Sequence, residues 1–397
     1  MLFRILILLF ALLIIPDAYI YFVHVRQWTQ RWWLRLLAFL PSLALLTYML
    51  LVLRTDDMHA EHQASVGLFM IIFLAVTVPR MLFTIIDGIG HIGKGLYRRV
   101  MRILAMAVAF FSLLLLAYGY FSGRNRYVVH QQTLYFTNLP RNFDGYRVAL
   151  FTDMHLGTLA DGHQQDAQRI VNLINDQNCD LILFGGDLVN YQACELDGYD
   201  KVLGALQAPD GVCAVMGNHD YSMYIHTLTE AEKKADIEEL QRRERNFGWK
   251  LLLNDHAVIS RGADSIAIIG VENDGRAPFP SLGDLPRATK GLRGVMRSDN
   301  RLGDHTFSIL LSHDPTHWRR RVIPDTRIDL TLSGHTHAGQ FKVFGWSPVA
   351  FVYDEWSGLY SEGSQILNIS DGVGQVMFPF RFGAWPEINV ITLKRSK

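Results

Sequence analysis

The sequence predicts an α/β protein, a two-sheet sandwich flanked by helices, that is preceded by a four-helix transmembrane region. Two observations predict this architecture. Residues 1–123 are dominated by Leu, Ile, Phe, Val and Ala, whereas the remainder has the composition of a soluble α/β protein. In that remainder, short apolar runs first alternate with a helical pattern and later follow one another directly. The predicted organisation is a membrane region at 1–123, a linker at 124–145 and a soluble domain at 146–397.

Four apolar stretches near membrane-spanning length account for the amino-terminal region, at about 5–23, 33–53, 66–86 and 103–121. Roughly 20 apolar residues cross the hydrocarbon core of a bilayer, and these stretches fit that length. A buried core helix could explain one of them, but short polar turns separate all four. The first could also be a cleaved signal peptide, yet it has no convincing small-residue cleavage site, so we retain it as a helix.

The loop charges predict the orientation of these helices, because loops rich in Lys and Arg stay in the cytoplasm. The first and third loops are rich in basic residues: Arg26, Arg31, Arg35, Lys94, Arg98, Arg99 and Arg102. The second loop has Arg54 together with Asp56, Asp57 and Glu61. We therefore predict that the carboxy-terminal domain lies on the periplasmic or extracellular side, although Arg4, Arg124 and Arg126 count against this.

Two charged residues lie near the predicted spans. Asp17 could make a polar contact inside the bundle, but we favour a span that ends near Ile15, which leaves Asp17 at the membrane interface. Arg80 is near the cytoplasmic end of the third span, so we predict that it snorkels to that surface. These two charges are few for an ion or substrate path, which argues against a transport unit.

The soluble domain begins with a β-α-β succession. Strands are predicted at 147–151, 181–184 and 211–216, with a helix at 161–177. Later strands are predicted at 257–259, 265–270, 307–311, 328–332, 365–369 and 388–393, and they suggest a second sheet. The charged segment 227–246 predicts a solvated helix, and the Gly-, Pro- and Arg-rich region 272–305 predicts a loop near the cleft.

Metal-ligand residues follow the apolar runs in this domain. They occur in the groups Asp153-Met154-His155, Gly186-Asp187, Gly217-Asn218-His219-Asp220, His313 and Gly334-His335-Thr336-His337. Each group alone is a weak signal. Because open α/β sheets place their sites at the carboxyl ends of strands, the ordered set predicts one cluster. Its carboxylate, amide and imidazole donors suit a pair of divalent ions better than one structural zinc.

These five groups, in this order, resemble the signature of the calcineurin-like metallophosphoesterase superfamily over about 146–394. The form Gly-His-Thr-His-Ala-Gly-Gln with a later Pro386-Glu387-Ile388 is similar to the bacterial, membrane-attached branch. Asn190 departs from the Asp that often ends the second group, a position outside the metal ligands of the family. The resemblance implies a metallophosphoesterase sandwich in a multi-pass protein of the bacterial inner membrane.

The resemblance also implies a role for each site residue. One ion would take Asp153, His155 and His337, the other would take Asn218, His313 and His335, and Asp187 would bridge them. His219 would face the substrate, with Asp220 holding its ring, so both are predicted as catalytic residues. The expected cofactors are two divalent ions, Mn²⁺, Fe, Zn²⁺ or Co²⁺, and the expected reaction is hydrolysis of a phosphodiester, phosphomonoester or pyrophosphate.

Several alternatives stay open at this stage. A catalytically silent metal-binding sensor or scaffold in the membrane would use the same ligands, but no ligand position has been lost. The substrate could be lipid-linked or soluble. The partners we expect are the lipid bilayer and a phosphoester, and a net charge of zero gives no indication of nucleic acid. Cys179, Cys194 and Cys213 lack metal-site spacing and are predicted to be structural thiols.

Overall fold

The computed structural model describes residues 2–52, 60–158, 164–299 and 305–396. Arg54, Asp56 and Asp57 of the second predicted loop lie outside these residues, as do 161–163 of one predicted helix and 300–304 of the predicted cleft loop. The chain divides into two compact units. The amino-terminal unit holds most of 1–123 together with Met377–Phe380, and the carboxy-terminal unit holds Arg124–Val376 and Arg381–Lys397.

Helices make up the amino-terminal unit and flank the sheets of the other. In chain order the α-helices are α1 (Leu2–Ile20), α2 (Arg26–Trp28), α3 (Trp32–Leu37), α4 (Leu40–Val52), α5 (Ala60–Gly90), α6 (Leu96–Phe121), α7 (Gln164–Asn175), α8 (Asp200–Leu203), α9 (Glu230–Asn246), α10 (Leu285–Ala288) and α11 (Ile323–Asp325).

Two stretches, Gln63–Gly90 and Leu96–Asn125, are long and apolar enough to cross a membrane, whereas Leu40–Val52 is apolar but shorter. The prediction of four spans therefore stays a prediction. Asp17 is buried, and Arg80 donates from Nη1 to its Oδ1 at 2.7 Å and to Ser42 Oγ at 3.1 Å. The favoured placement of Asp17 at the end of a span was wrong, because α1 continues to Ile20 and Asp17 makes the alternative polar contact inside the bundle. The snorkelling of Arg80 stays a prediction.

Twelve strands of the described residues form two sheets. The strands are β1 (Val128–Phe136), β2 (Arg147–Phe151), β3 (Leu181–Phe184), β4 (Val212–Ala214), β5 (Lys250–Leu251), β6 (Asp255–Arg261), β7 (Asp264–Gly270), β8 (Ser308–Leu311), β9 (Leu330–Ser333), β10 (Gly358–Glu362), β11 (Gln365–Ile369) and β12 (Glu387–Arg395). The sheet orders are β1-β12-β2-β3-β4-β5 and β10-β11-β9-β8-β7-β6.

The predicted sandwich is confirmed, with apolar side chains between the two sheets. Leu150 and Leu183 of the first sheet share this core with Ile268, Ile309 and Leu332 of the second, and all five are fully buried. The other face of the first sheet packs against α7 and α9, since the apolar positions of a strand alternate between its two faces.

The predicted linker at 124–145 is mostly ordered structure, which corrects the sequence interpretation. Val128–Phe136 forms β1, which pairs in parallel with β12 from Val128↔Glu387 to Phe136↔Arg395. Its pattern of half-exposed positions is that of an edge strand, so it lacks the apolar run by which the central strands were found.

Candidate metal centre

The site lies where parallel strands of both sheets end. Asp153 and His155 follow β2, Asp187 follows β3, and Asn218 follows β4. From the second sheet, His313 follows β8, and His335 and His337 follow β9. Strands β2, β3 and β4 are parallel to one another, as are β8 and β9. Their carboxyl ends therefore bring all seven predicted ligands to one place, as the sequence predicted.

Left-handed backbone turns aim these side chains inward. Five of the seven predicted ligands have positive φ, namely Asp153 at 57°, His155 at 47°, Asp187 at 60°, His335 at 72° and His337 at 49°. A residue other than glycine held in this region costs roughly 1–3 kcal/mol, and such strain concentrates at functional sites. These residues lie in the segments that directly follow β2, β3 and β9.

Two motif glycines allow the loops to approach each other closely. A side chain at Gly217 would collide with the Asp187 carboxylate, and one at Gly334 would collide with Thr152 and with the carboxylate of Asp153. Each glycine therefore has a steric reason to stand beside a predicted ligand of another strand.

The donor atoms converge in overlapping groups. In each of the sets Asp153-His155-His337, His155-Asp187-His219 and Asp187-His313-His335, the possible ligand atoms lie within 4.8 Å of one another. Asp187 Oδ2 lies 3.0 Å from His313 Nε2 and 3.7 Å from His155 Nε2. Asp187 thus lies between the two predicted ion positions, which is the placement that a bridging carboxylate requires.

Several ring nitrogens lack the partners that a metal-free site would need. His155 Nε2 and His337 Nε2 face each other at 3.1 Å. His155 Nδ1 is buried without a hydrogen-bond partner among the described residues, and His313 Nε2 faces the Asp187 carboxylate. Because buried polar atoms are almost always satisfied, this donor set fits ions held between the imidazoles and carboxylates.

Burial and neighbouring charges set the protonation of these groups. Burial lowers the pKa of His155, of His335 and of His337, which keeps the three rings neutral and able to bind metal. For His313, burial acts in the same direction but the Asp187 carboxylate outweighs it and raises the pKa to about 10. A cation at this position would take the place of that imidazolium proton.

Tyr224 and Tyr353 orient two of the predicted ligands. Asn218 Nδ2 donates to the Tyr224 hydroxyl at 2.6 Å, which turns Asn218 Oδ1 toward His335 Nδ1 at 2.7 Å. On the far side of the His335 ring, Nε2 lies 2.9 Å from the Tyr353 hydroxyl. A hydroxyl can both donate and accept, so Tyr353 holds this ring in either tautomer.

Arg381 is a buried cation beside the site. It is fully buried, and it donates to the carbonyl oxygens of Asp371 at 2.7 Å and of Gly374 at 3.0 Å. Its Nη2 lies 2.9 Å from His337 Nδ1. Burial lowers its pKa to about 10, so it stays charged at neutral pH. Sequence reasoning missed Arg381 and both tyrosines, because they lie outside the motifs and only the fold brings them here.

His219 and Asp220 have separate surroundings. His219 Nδ1 lies 2.8 Å from the Asn190 carbonyl oxygen, and a carbonyl only accepts, so Nδ1 carries the hydrogen. The half-buried ring leaves its other nitrogen for a ligand. Asn190 acts here through its backbone, which explains why the departure from Asp at this position is tolerated.

Asp220 does not hold the His219 ring, and that part of the prediction was wrong. Its carboxylate accepts from the backbone N–H groups of Asp187 and Gly217 at 2.8 Å, of Leu188 at 2.9 Å and of Val189 at 3.3 Å. Burial and the Asp187 charge raise the pKa of Asp220 to about 7. Asp220 therefore fixes the backbone from which Asp187 projects.

Comparison with known proteins agrees with this architecture. The model of the family "Calcineurin-like phosphoesterase" matches residues 146–339, and that of "Probable Calcineurin-like phosphoesterase, transmembrane domain" matches residues 3–124. The carboxy-terminal domain belongs to the calcineurin-like phosphoesterases, and the chain carries an amino-terminal transmembrane domain. Its carboxy-terminal domain is a metal-dependent phosphoric ester hydrolase.

Relatives of this chain occur in bacteria and vertebrates. The uncharacterised metallophosphoesterase YkuE of Bacillus subtilis is 29% identical over 290 residues, which are 70% of this chain and 90% of YkuE. The zebrafish "Transmembrane protein with metallophosphoesterase domain" is also 29% identical, over 65% of this chain and 55% of its own length. An uncharacterised Helicobacter pylori metallophosphoesterase is 28% identical over 71% of this chain and 69% of its own length.

Proposed function

We propose that this protein is a membrane-anchored phosphohydrolase that uses two divalent ions and cleaves a phosphoester carried by a lipid. The observation that carries the reaction class is the convergence of two carboxylates, one amide and four imidazoles at the ends of five strands. Asp153, His155 and His337 would hold one ion, and Asn218, His313 and His335 would hold the other, with Asp187 between them. When bound, the ions lower the pKa of a coordinated water and neutralise phosphoryl charge.

The residues of the chain have distinct tasks in this reaction. Asp187 Oδ2 lies between His155 and His313 and would contribute to holding both ions, while its Oδ1 accepts from the His219 backbone N–H at 2.8 Å. That contact fixes His219 relative to the centre. Since the Asn190 carbonyl holds Nδ1–H, the Nε2 atom of His219 faces the substrate, and it stabilises the phosphoryl group or protonates the leaving oxygen when the ring carries a second proton on Nε2.

An exposed apolar hairpin close to the centre supports a lipid-borne substrate. Val343 and Trp346 exchange backbone hydrogen bonds of 2.9 and 3.0 Å, and Phe344 and Gly345 form the turn between them with φ of 51° and 78°. Asn-Gly is the usual choice for such a turn. Phe344 is instead fully exposed at the tip, so its conformational cost is not offset by packing within the chain.

The apolar surface continues from this hairpin toward the centre. Phe351 is 82% exposed and Val352 is 71% exposed, and the Trp346 and Phe351 rings pack at 5.6 Å. The next residue is Tyr353, whose hydroxyl contacts His335. An exposed aromatic cluster of this kind marks an interaction site, and in a protein with a transmembrane domain we assign it to the bilayer surface.

The test compares a lipid phosphoester in vesicles with bis-p-nitrophenyl phosphate in solution, using the full-length, Mn²⁺-loaded protein. Phe344→Ser with Phe351→Ser should reduce hydrolysis of the lipid roughly tenfold and leave the soluble substrate nearly unchanged, because each exposed aromatic adds apolar contact only at the bilayer. Tyr135→Ser, at an aromatic residue that is 65% exposed on β1, is the control. Equal loss on both substrates would reject the lipid assignment, and no hydrolysis of either would reject the enzyme.

We also propose that the catalytic domain faces the periplasm or cell exterior, as the loop charges predict. The support is the excess of Lys and Arg in the first and third loops. A reporter enzyme that works only outside the cytoplasm should be active when it is fused after Arg126. An inactive fusion, together with activity of a reporter that works only in the cytoplasm, would contradict the predicted topology.

A further inference from the structure

An open cavity in the amino-terminal unit is lined by basic side chains. Its volume is about 730 Å³, and it lies between residues 23–28 and the start of α6. The lining residues are Val23, His24, Gln27, Trp28, Gly95, Arg98, Arg99, Arg102, Ile103 and Met106. We call it the arginine cavity. It contains none of the residues assigned to the metal centre.

The carboxylates near the cavity do not neutralise all of its arginine side chains. Asp87 is the carboxylate beside it, and it pairs with both Arg102 Nε at 3.1 Å and His24 Nε2 at 2.8 Å. The sequence has no other Asp or Glu within 18–55 or 88–143, which include every lining residue. Among the described residues, Arg98 Nε is buried without a hydrogen-bond acceptor. An anion would complete this arrangement.

The start of α6 adds positive potential of the same sign. This 26-residue helix begins after Gly95 without a side-chain cap and without an acidic residue in its first turn. Its first N–H groups lack intrahelical acceptors, and the aligned peptide dipoles place about half a positive charge there. Arg98 and Arg99 in the same turn oppose this dipole, so the helix end is stabilised when a bound anion offsets both.

The surroundings indicate an anion that belongs to a lipid. Trp28 at the rim is 77% exposed and the nearby Trp32 is 71% exposed, as expected for aromatic anchors at the level of the head groups. Val23, Ile103 and Met106 give the cavity an apolar wall. A cavity lined by both guanidinium groups and apolar side chains matches a phosphate that is attached to acyl chains.

We propose that the arginine cavity binds the head group of an anionic phospholipid, with the phosphate between Arg98, Arg99 and Arg102. Guanidinium groups suit this ligand because their planar forks bind two phosphate oxygens at once. Asp87 pairs with Arg102, and His24 shares that carboxylate. The site is independent of the hydrolytic reaction and of the lipid-borne substrate proposed above.

The experiment measures binding of phosphatidylglycerol and phosphatidylcholine to the full-length protein in detergent, by native mass spectrometry and by thermal shift. The wild type should prefer phosphatidylglycerol by at least roughly tenfold, and Arg98→Gln with Arg99→Gln should remove most of that preference. Lys94→Gln is the matched control, since it removes one charge from the same loop but Lys94 does not line the cavity. That variant should keep the preference within about twofold, because its charge is not directed at the phosphate.

Two further arms separate the other outcomes. The double variant Arg98→Lys with Arg99→Lys keeps the charge and should bind phosphatidylglycerol with intermediate affinity. Melting temperatures measured without lipid show whether each variant folds. Inorganic phosphate at millimolar concentration should not displace the lipid, since it lacks acyl chains. Displacement by phosphate would indicate a free-anion site instead. Equal binding of both lipids, or equal binding by wild type and the Gln variant, would overturn the proposal.

Discussion

The metal centre and the arginine cavity both gather ionisable side chains, but in different settings. At the metal centre, carboxylates and imidazoles are buried and held by strained turns at the ends of strands. In the arginine cavity, guanidinium groups line an open space at the start of one helix. The first arrangement selects small cations by fixed geometry. The second attracts an anion through flexible side chains and net charge, so the anion can bind without precise placement of those side chains.

The two groups of charges are supported in different ways. Asp187 is fixed by backbone contacts from Asp220 and accepts from the backbone N–H of His219, so its position does not depend on the ion. In the arginine cavity, Arg98 contacts the side chain of His91 rather than the backbone, and long side chains such as those of Arg98 and Arg99 lose freedom when a ligand binds. Substitutions at the metal centre should therefore have larger effects than substitutions in the cavity.

The largest expected effect is that of Asp187→Asn. The substitution keeps the shape of the side chain but removes the charge that lies between the two ion positions, so we expect loss of bound metal and of hydrolysis. Metal analysis and rates on bis-p-nitrophenyl phosphate measure both. Asp255→Asn, at an exposed carboxylate on β6, is the control. Two ions per chain at full rate in Asp187→Asn would disprove the bridging role.

The second effect separates catalysis from metal binding. His219→Ala should reduce the rate by roughly 10² to 10⁴, the usual contribution of a positioned acid or base, while metal content stays near normal. The competing possibility is that His219 is a ligand, since its donor atoms lie within 4.8 Å of those of His155 and Asp187. Parallel loss of metal and rate in this variant would favour that possibility.

A smaller effect is expected from Tyr353→Phe. The substitution removes the hydroxyl that holds His335 Nε2, and partners of this kind contribute roughly 10- to 100-fold to metal affinity. Metal titration of the apo-protein measures the change, and Tyr135→Phe is the matched control. An unchanged affinity would mean that Asn218 and the strand end are sufficient to orient the ring.

The smallest effect concerns a buried carboxylate behind the centre. Glu244 on α9 is fully buried, and neither of its oxygens has a hydrogen-bond partner among the described residues. Burial, with the nearby Asp220 charge, raises the pKa of Glu244 well above its usual value. The folded state therefore favours protonated Glu244. The contribution of this group to the free energy of unfolding is fully present below the unfolded pKa of about 4.3, and it is lost as pH rises from there through the raised folded pKa.

Replacing this group by its neutral isostere tests that account. Glu244→Gln should match the wild type near pH 4 and melt a few degrees higher at pH 8, since about 1 kcal/mol corresponds to roughly 2–4 °C in a domain of this size. Glu239→Gln, on the exposed face of the same helix, should not show this gain. A pH-independent difference between wild type and Glu244→Gln would contradict the assignment.

Central strands can be predicted from local patterns of apolar residues, whereas edge strands cannot. The central strands β2, β3, β8, β9 and β11 were located within about two residues, because each is an apolar run bounded by turn residues. The edge strands β1, β5 and β10 were missed, because half-exposed strands have mixed composition. Their pairing depends on partners far away in the sequence.

The sequence by itself determined the two-part organisation, the sandwich and the seven residues that converge at its edge. It could do so because strand ends that bear ligands recur as short motifs, and parallel strands bring their ends together. Only the tertiary structure decided the pairing of Asp17 with Arg80, the task of Asp220, and the contacts of Tyr353 and Arg381 with the site. Those contacts join residues that are 18 or more positions apart, so no local pattern of apolar and polar residues specifies them.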